Sequence, residues 1–284
     1  MKFLVTGGSG FIGSTLVKFL LSNTDSDVLN FDKLTYASNQ SSLESIKDEA
    51  RYKFVQGDIS HRDDVEKLFK DYLPDIVINL AAESHVDNSI NESINFINTN
   101  ILGTYNLLEV SRTYYAQKNN NFLFHHVSTD EVYGDLPHPD YCSLSDSKLK
   151  FSENTPYKPS SPYSSSKACS DHLVNAWFRT YGLPTLITNC SNNYGPFQHK
   201  EKLIPQVICN AINNKKIPIY GKGNQIRDWL FVEDHAEALL LVLEKGQLGE
   251  SYNIGGENER RNIDLVRSLC AILDSKRPKA SGIY

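Results

Sequence analysis

The chain has 284 residues, which is long enough for one large domain and a smaller lobe. Its 29 basic and 34 acidic residues give a net charge of −5, and this mild acidity argues against nucleic acid as the main partner. The five cysteines form no CxxC pair, so neither a disulfide framework nor a zinc site is predicted. No cleavable signal opens the chain, and no apolar stretch approaches the roughly 18 residues that span a bilayer. We therefore expect a soluble, cytoplasmic protein without membrane contact.

Short apolar runs alternate along the chain with amphipathic segments. Strands are predicted at 3–5, 28–32, 53–58, 75–80, 122–128 and 185–188, and helices at 11–21, 65–72, 95–117 and 164–181. This alternation predicts a parallel sheet with helices on both faces and right-handed crossovers. The continuous apolar run at 75–80 is typical of a strand that is buried on both faces.

The pattern becomes irregular after about residue 189. Helices are predicted at 204–213 and 232–243, a strand at 217–220, and a strand with a turn at 251–256. The polar segment 134–162 is rich in proline, with Pro137, Pro139, Pro156 and Pro159, and is predicted to be a long surface loop, a kind of loop that is often functional.

A glycine pattern lies between the first predicted strand and the first helix. The stretch from Gly7 to Gly13 has the form GxxGxxG. Gly7 permits a tight turn, Gly10 lets a pyrophosphate approach the backbone, and Gly13 lets the helix pack closely on the strand. The helix N-terminus then attracts the phosphates. An ordinary glycine turn is the alternative, but the position between strand and helix favours a dinucleotide site.

Asp32 ends the second predicted strand, where a carboxylate can bind the adenosine ribose and repel a 2′-phosphate. NAD is therefore predicted rather than NADP, although Lys33 could soften that discrimination. Asp58, after the third strand, could either cap a helix or contact adenine. The predicted fold class is α/β, a Rossmann-type doubly wound parallel sheet with a smaller C-terminal substrate-binding lobe. We assign 1–188 to the NAD-binding domain, to which 226–255 is expected to return, and 189–284 to the partly interwoven lobe.

Histidines offer little chemistry in this sequence. His85 follows the small residues Ala81 and Ala82, which leave room for a cofactor at the end of a parallel strand. Because no second His or Cys lies at ligand spacing, we interpret His85 as a wall residue and predict no metal site. His125 and His126 point to opposite faces of a strand and are interpreted as structural.

The most informative residues are the stretch from Ser128 to Glu131 and the pair Tyr163 and Lys167. Tyr163 and Lys167 are four residues apart, so both lie on one face of a helix. The ammonium can favour the phenolate and make Tyr163 a base near neutral pH. Asp130 and Glu131 add a second acid and a second base, which indicates an elimination in addition to a hydride transfer. Solvated loop carboxylates and a surface Tyr–Lys pair are the alternatives, which the position beside a core strand disfavours.

These motifs resemble the extended short-chain dehydrogenase/reductases, and among them the nucleotide-sugar 4,6-dehydratases. The matching segments are 6–13, 81–87, 128–134, 161–167, 189–196, 201–205, 220–230 and 252–256, which cover the chain almost from end to end. The Thr129-Asp130-Glu131 segment is specific, because related sugar epimerases usually lack the acid pair.

The resemblance implies oxidation of a nucleotide-linked glucose at C4, with dTDP as the expected nucleotide, then loss of water across C5 and C6 and return of the hydride to C6. Tyr163, helped by Lys167, would take the C4 hydroxyl proton while Thr129 holds that hydroxyl. Glu131 would remove the C5 proton, and protonated Asp130 would protonate the departing C6 hydroxyl. The 4-keto-6-deoxy product would feed deoxysugar synthesis, such as that of rhamnose. A UDP-sugar 4-epimerase and a non-catalytic NAD-binding scaffold are the alternatives.

The same resemblance implies two sets of binding residues. NAD is expected to contact Gly7, Gly10, Phe11, Ile12, Gly13, Asp32, Lys33, Leu34, Asp58, Ile59, Leu80, Ala81, Ala82, Ser84, Thr99, Ser128, Tyr163, Lys167 and Asn193. The nucleotide sugar is expected to contact Ser84, Thr129, Asn192, Lys202, Leu203, Pro218, Tyr220, Arg227 and Asn262. Guanidinium suits a diphosphate because it binds phosphate oxygens in a bidentate way. A local ion pair with Asp228 is the alternative role for Arg227.

Two departures from the family accompany the resemblance. Asn88 stands where the family usually has Arg. Family members also continue past the position of Tyr284 into a segment that helps to bind the nucleotide, so the chain is expected to be truncated. A homodimer is implied as well, through a four-helix contact made by 95–117 and 164–181.

Overall fold

The computed structural model describes residues 1–118, 121–140 and 150–278. The chain divides into two compact units, one of Met1–Cys190 with Ala236–Ile254 and one of Ser191–His235 with the chain from Gly255 onwards. The segment 226–255, which the sequence assigned to the first unit, is split between them. Its residues 236–254 belong to the first unit, and its residues 226–235 and 255 belong to the second.

The strands and helices follow the alternation of the sequence. The strands are β1 (Lys2–Thr6), β2 (Asp27–Asp32), β3 (Tyr52–Gln56), β4 (Ile76–Asn79), β5 (Leu123–Thr129), β6 (Thr185–Cys190), β7 (Asn192–Tyr194), β8 (Ile226–Phe231), β9 (Ser251–Ile254) and β10 (Glu259–Arg261). The helices are α1 (Phe11–Asn23), α2 (Arg62–Tyr72), α3 (Val86–Asn91), α4 (Ser93–Phe96), α5 (Thr104–Gln117), α6 (Pro162–Tyr181), α7 (Leu203–Ile212), α8 (Val232–Lys245) and α9 (Asn262–Lys276).

The first unit is built on a seven-stranded sheet in the order β3-β2-β1-β4-β5-β6-β9. All its neighbouring strands are parallel, which confirms the predicted doubly wound α/β fold. The strand order reverses between β1 and β4. In such sheets, ligands bind outside the carboxyl ends of the strands at this switch point.

The core of this unit forms where apolar strand residues meet the flanking helices. Leu4, Phe124 and Ile187 share one buried cluster with Leu107 of α5 and Val174 of α6. Burying each such side chain stabilises the fold by about 1.5–3 kcal/mol. Because the central strands are covered in this way, their carboxyl ends are fixed with respect to the adjoining loops.

Helix α6 has clear start and stop signals. Ser161 and Ser164 form a reciprocal capping box, Pro162 occupies the first turn, and Gly182 ends the helix in the left-handed conformation. Such caps contribute about 1 kcal/mol each. They set the position of the helix turns that carry Tyr163 and the residues after it.

The helix predicted at 95–117 is interrupted. Residues Ile97–Gly103 form a π-helical segment between α4 and α5. A Cβ on Gly103 would lie 2.6 Å from the side chain of Ile59, so glycine permits close packing there. Thr99 and Asn100 are buried within this segment, and such π turns often occur at functional sites.

The second unit contains a three-stranded sheet in the order β10-β8-β7. Strand β8 is parallel to β7 and antiparallel to β10, and α7 packs against α9. The strand predicted at 217–220 is wrong, because these residues form a loop. Pro218 lacks a backbone N–H to donate to a sheet, and Gly221 and Gly223 turn the chain with positive φ.

Two further observations concern the whole chain. The predicted surface loop at 134–162 is irregular over 135–140 and 150–161, and residues 141–149 lie outside the described part. Among the described helices, none combines the length and apolar character that a bilayer crossing requires.

Candidate active site

The glycine loop between β1 and α1 has the geometry that a dinucleotide phosphate needs. Gly7 has a φ of 71°, and a Cβ there would lie 2.7 Å from a backbone nitrogen just after β4. A Cβ on Gly13 would collide with the Gly7 carbonyl oxygen. Within the described residues no side chain caps α1 at Gly10, so the amides of Phe11 and Ile12 are left for an anion. The loop thus combines close backbone approach with free donors.

Asp32 ties this loop to the turn after β2. Its Oδ2 accepts a hydrogen bond from the Ser9 amide at 3.0 Å. Its Oδ1 accepts from the Leu34 amide at 2.7 Å and from Ser38 Oγ at 3.0 Å. Leu34 has a left-handed φ of 59°, a conformation that the Asp32 contact helps to hold. The carboxylate is buried and fixes both loops that border the switch point.

Lys33 lies at the centre of a charged cluster beside the same edge. Its Nζ is 3.0 Å from Glu83 Oε1 and 4.0 Å from Asp58 Oδ2, and it donates to Thr99 Oγ1 at 3.0 Å. The cluster joins the loops after β2, β3 and β4 to the π segment. Asp58 is not the cap of α2, since the N-cap residue is His61.

The remaining first-unit residues predicted to contact the cofactor are distributed over the same loops. Leu80, Ala81 and Ala82 are half-buried after β4, Ser84 is exposed, and Ile59, Thr99 and Ser128 are buried. Because these residues follow strands of one parallel sheet or pack beside them, they share its carboxyl edge.

Asn100 holds two of these segments together, although its sequence position gave no signal. Its Oδ1 accepts from the Glu83 amide at 2.9 Å, and its Nδ2 donates to the Glu83 carbonyl at 3.0 Å. The same Nδ2 donates to Ser166 Oγ at 2.8 Å. Its backbone carbonyl accepts from Ser170 Oγ at 2.7 Å. The chain after β4 is therefore fixed against α6.

The carboxyl pair follows β5 directly in a short 3₁₀ turn, Asp130–Tyr133. Thr129 caps this turn, because its Oγ1 accepts from the Glu131 amide at 3.2 Å. Asp130 and Glu131 are both half-buried and face the phenol of Tyr163 closely enough for their charges to act on it. The turn ends at Gly134, whose φ is 84°.

Tyr163 is partly buried at the start of α6. Burial of the phenol is the main effect that raises the pKa of Tyr163 well above the ordinary value. The charges of Glu131, Cys190 and Asp130, in that order, raise it further. A hydrogen bond with Thr129 opposes that rise. Burial and these charges favour the protonated phenol. The role of Lys167 in making Tyr163 a base near neutral pH stays a prediction.

Lys167 is buried one turn along α6 from Tyr163 and hydrogen-bonds elsewhere. Its Nζ donates to the Val127 carbonyl at 2.9 Å and lies 3.3 Å from His126 Nε2. Burial lowers its pKa, while the charge of Asp171 opposes that change. The expected shared helix face is present, but no hydrogen bond joins Lys167 to Tyr163 within the described residues.

A buried polar network lies behind these groups, and sequence reasoning missed it. Asp171 Oδ2 accepts hydrogen bonds from Ser128 Oγ, Tyr157 Oη and Asn189 Nδ2 at 2.9, 2.9 and 3.2 Å. Asp171 lies four residues after Lys167, and this spacing on a predicted helix was the available signal.

The predicted residues of the second unit occupy several of its elements. Asn192 and Asn193 lie on β7, Lys202 and Leu203 start α7, Pro218 and Tyr220 lie in a loop, Arg227 is on β8, and Asn262 starts α9. The loop and α9 are joined, because the Asn262 amide donates to the Gln225 carbonyl at 2.9 Å. The side chain of Asn193 is engaged within this unit, since its Oδ1 lies 2.9 Å from His235 Nδ1.

Arg227 is exposed on β8, and its Nη1 donates to its neighbour's carbonyl, that of Ile226, at 2.7 Å. Asp228 instead accepts backbone hydrogen bonds from Gly256 at 2.6 Å and Asn258 at 2.7 Å. The alternative of a local Arg227–Asp228 ion pair is therefore wrong, and the guanidinium remains available to an anion.

Several known proteins are similar to this chain in sequence and in fold. The family model described as GDP-mannose 4,6 dehydratase matches residues 4–282. A dTDP-glucose 4,6-dehydratase of Salmonella typhimurium is 58% identical over 286 residues, covering 99% of this chain and 79% of that protein. The dTDP-glucose 4,6-dehydratase of Bacillus anthracis, solved in complex with NAD, has a TM-score of 0.86 and 43% identity, covering 98% of this chain and 82% of that one.

The same enzyme of Streptomyces venezuelae, also solved with NAD, has a TM-score of 0.87 and 39% identity, covering 99% of this chain and 83% of that one. Identity of this extent covers nearly the whole chain and accompanies a closely similar fold. The chain therefore belongs to the dTDP-glucose 4,6-dehydratase family of extended short-chain dehydrogenase/reductases.

Proposed function

We propose that the chain catalyses the NAD-dependent dehydration of dTDP-glucose to the dTDP-linked 4-keto-6-deoxy sugar. One observation carries this proposal: the Asp130–Glu131 turn is held by Thr129 against the phenol of Tyr163. An acid, a base and a phenol together suit an elimination that is coupled to an oxidation. A simple dehydrogenase does not need the additional acid and base. Membership of the family supports the same reaction.

The first proton leaves the C4 hydroxyl. Tyr163 takes this proton, and Thr129, which shares a hydrogen bond with the phenol, holds the hydroxyl. Lys167 supplies positive charge from the next helix turn, although burial works against its charged form. Because Glu131 and Asp130 disfavour the phenolate, the proton transfer is expected to depend on both Lys167 and a cationic group bound beside it.

The elimination needs opposite protonation states in two neighbouring carboxyl groups. Glu131 removes the C5 proton, which the adjacent ketone has acidified. Asp130 donates a proton to the departing C6 hydroxyl, so water leaves without bearing a negative charge. Two carboxyl groups side by side do not ionise independently, and this coupling favours one protonated and one ionised group.

NAD, when bound, would supply the hydride acceptor for C4 and the hydride donor for C6. The glycine loop would hold its pyrophosphate, since the free α1 amides and the space left by Gly7 and Gly13 fit that group. Asp32 would bind the adenosine ribose. Thr99, Ser128 and the residues after β4 would line the rest of the cofactor site.

The second unit would bind the nucleotide through Arg227 and the polar residues of its loops. Arg227 is exposed and free of Asp228, so it can form bidentate contacts with diphosphate oxygens. Asn262 has a buried Oδ1 without a hydrogen-bond partner among the described residues, as a base-binding group would require. Asn192, Lys202, Leu203, Pro218 and Tyr220 complete the proposed set.

A homodimer is also proposed. Ile90, Ile94, Ile97, Leu102 and Tyr105 are exposed apolar residues along α3, α4, the π segment and the start of α5. Their spacing of three to five residues puts most of them on one side of this helical stretch. Exposed apolar faces of this kind mark protein interfaces. The roles in rhamnose and O-antigen synthesis and the cytoplasmic location stay predictions from the resemblance.

The decisive experiment incubates the protein with NAD and dTDP-, UDP- or CDP-glucose. We expect the alkaline absorbance of a 4-keto product and the loss of 18 mass units from dTDP-glucose. Formation of dTDP-galactose without loss of water would instead identify an epimerase. NAD binding without any turnover would favour the non-catalytic scaffold.

Amide variants test the acid pair. Asp130→Asn and Glu131→Gln should each slow dehydration by about 10²-fold or more, since each removes one general catalyst. Oxidation at C4, followed as NADH absorbance in a single turnover, should be affected much less. Unchanged dehydration in the double variant would overturn the assignment. Asp135→Asn, an exposed carboxyl just beyond the turn, is the matched control.

A further inference from the structure

Lys167 and Asp171 are buried together on successive turns of α6. Lys167 is 3% exposed and Asp171 is 0% exposed. Four residues apart, they lie on the same side of the helix, the side that faces β5 and β6. A buried ammonium and a buried carboxylate are each costly alone, so their shared position calls for a physical reason.

The Asp171 carboxylate receives hydrogen bonds at one oxygen and leaves the other oxygen open. Three donors converge on Oδ2, from β5, β6 and the loop at 150–161. Oδ1 accepts no hydrogen bond within the described residues and faces His126 Nε2 at 3.4 Å. Burial raises the pKa of Asp171, and the charge of Lys167 and the three hydrogen bonds oppose that rise.

Lys167 receives little compensation from its other neighbours. Its Nζ donates to the Val127 carbonyl, a neutral acceptor. His126, 3.3 Å away, has no negative charge to offer in either protonation state, and burial and the lysine charge lower its pKa well below the usual range. The titratable groups beside the pair are His126 on β5, Cys190 on β6, and Tyr133 and Tyr157. Of the two groups whose charge raises the pKa of Lys167, Asp171 acts more strongly than Cys190.

We propose that Asp171 is a positioning residue that keeps Lys167 charged one helix turn from Tyr163. The inference rests on the proposed function, because it assigns the purpose of the pair to the proton transfer at C4. Without Asp171, the ammonium would be an uncompensated buried charge and would release its proton. Tyr157 and Ser128 hold the carboxylate in place from the loop and from β5, so the loop is joined to the same network.

The experiment reads the lysine directly rather than turnover. Lysine labelled with ¹³C at Cε is titrated by NMR in the full chain, and the Lys167 signal is assigned by its loss in Lys167→Met. In Asp171→Asn, the Lys167 midpoint should move down by at least one pH unit, a tenfold change in proton affinity. An unmoved midpoint would overturn the proposal even if the protein dehydrates dTDP-glucose. If the parent protein does not dehydrate dTDP-glucose, the proposed function is wrong, but the effect of Asp171 on the charge of Lys167 is still tested by the titration.

Tyr157→Phe is the matched control for packing. It removes one of the three donors to the same oxygen and leaves the carboxylate in place, so a midpoint shift as large as that in Asp171→Asn would contradict the charge argument. If Asp171→Asn alone does not fold, Asp171→Asn combined with Lys167→Met must fold, because no unpaired buried charge remains. A double variant no more stable than the single one would count against the proposal.

The pH profile of kcat/KM supplies the link to catalysis. In Asp171→Asn, the alkaline limb should move down with the lysine, and the acid limb should move up as Tyr163 loses nearby positive charge. The bell-shaped pH profile of kcat/KM therefore becomes narrower on both its acid and its alkaline side. A lower plateau with unmoved limbs would indicate a structural role only and would overturn the positioning role.

Discussion

Three partners surround the ammonium of Lys33, and this affects which dinucleotide the protein should prefer. Glu83 Oε1 and Thr99 Oγ1 both lie 3.0 Å from Nζ, and Asp58 is nearby. A lysine next to Asp32 would otherwise attract a 2′-phosphate. Because Glu83 neutralises this charge, Asp32 can discriminate against NADP without opposition.

We predict that Glu83→Gln narrows the preference for NAD over NADP. Removing the paired carboxylate leaves Lys33 partly uncompensated, and an ion pair of about 1 kcal/mol corresponds to roughly a fivefold change in relative affinity. Binding of each dinucleotide to cofactor-free protein can be measured by calorimetry.

Thr99→Val is the control for this prediction. It removes a neutral partner of the same ammonium, so it should weaken both dinucleotides alike and leave their affinity ratio unchanged. An unaltered ratio in Glu83→Gln would show that Lys33 does not bear on the adenosine end.

At the scale of single residues, the sequence predicts those site residues whose partners are close along the chain. Gly7 and Gly13 belong to a seven-residue pattern, and Tyr163 and Lys167 to a helix spacing. Asn100 could not be found in this way, because Ser166 is 66 residues away along the chain. The raised pKa of Tyr163 was also beyond prediction, since it depends on burial and on charges brought together by folding.

The carboxylate of Glu109 on α5 is hydrogen-bonded to both α5 and α6. Glu109 accepts from Arg112 on its own helix at 2.9 and 3.1 Å, and from Trp177 Nε1 of α6 at 2.9 Å. The Arg112 hydrogen bond lowers the pKa of Glu109, and the Trp177 contact contributes in the same direction. The ionised form therefore stabilises the packing of the two helices.

This shift predicts a pH-dependent stability. A depressed folded-state pKa means that the contribution is present above the ordinary glutamate value of about 4.3 and is lost as the pH falls through the lower folded-state value. Glu109→Gln should lower the free energy of unfolding by about 1 kcal/mol at pH 7, and this difference should shrink below about pH 4. Urea denaturation at both pH values measures it.

Glu244→Gln, on the exposed face of α8, removes the same charge and serves as the control. It should leave unfolding at pH 7 nearly unchanged. A Glu109→Gln deficit that persists at pH 3 would show that the loss comes from packing rather than from ionisation.

Element prediction succeeded where the periodicity was strong and failed where strands were short. The buried run at β4 and the capped helix α6 are nearly as predicted. Strands β7 and β10 have three residues each, too few for a period, and their pairing with β8 is a tertiary property. Residues 217–220 have apolar character but no partner strand, so composition misled the prediction there.

At the scale of the whole molecule, the exposed apolar face of α3 to α5 can be tested for self-association. Ile94→Asp places a charge in the middle of that face, where Ile94 is 59% exposed. If two copies pack there, burying a carboxylate should shift the protein to a monomer. Sedimentation equilibrium gives the mass directly.

Ile272→Asp is the matched control, because Ile272 is 50% exposed on α9 of the second unit. It should leave the mass unchanged. A parent protein that sediments as a monomer, or an Ile94→Asp variant that stays dimeric, would exclude this face as the interface. Sequence periodicity alone could place the apolar residues on a helix, but not show which of them are left uncovered.

The π segment between α4 and α5 lets one continuous stretch of chain contribute residues to two surfaces. In an ordinary α-helix, the residues of these two surfaces would point in different directions relative to each other. Its buried side presents Thr99 and Asn100 to the carboxyl edge of the sheet, and its outer side carries Ile97 and Leu102. Winding the same residues as a regular α-helix would rotate everything downstream by about 100°. Substitutions that favour regular winding in this segment should therefore misalign the two surfaces together.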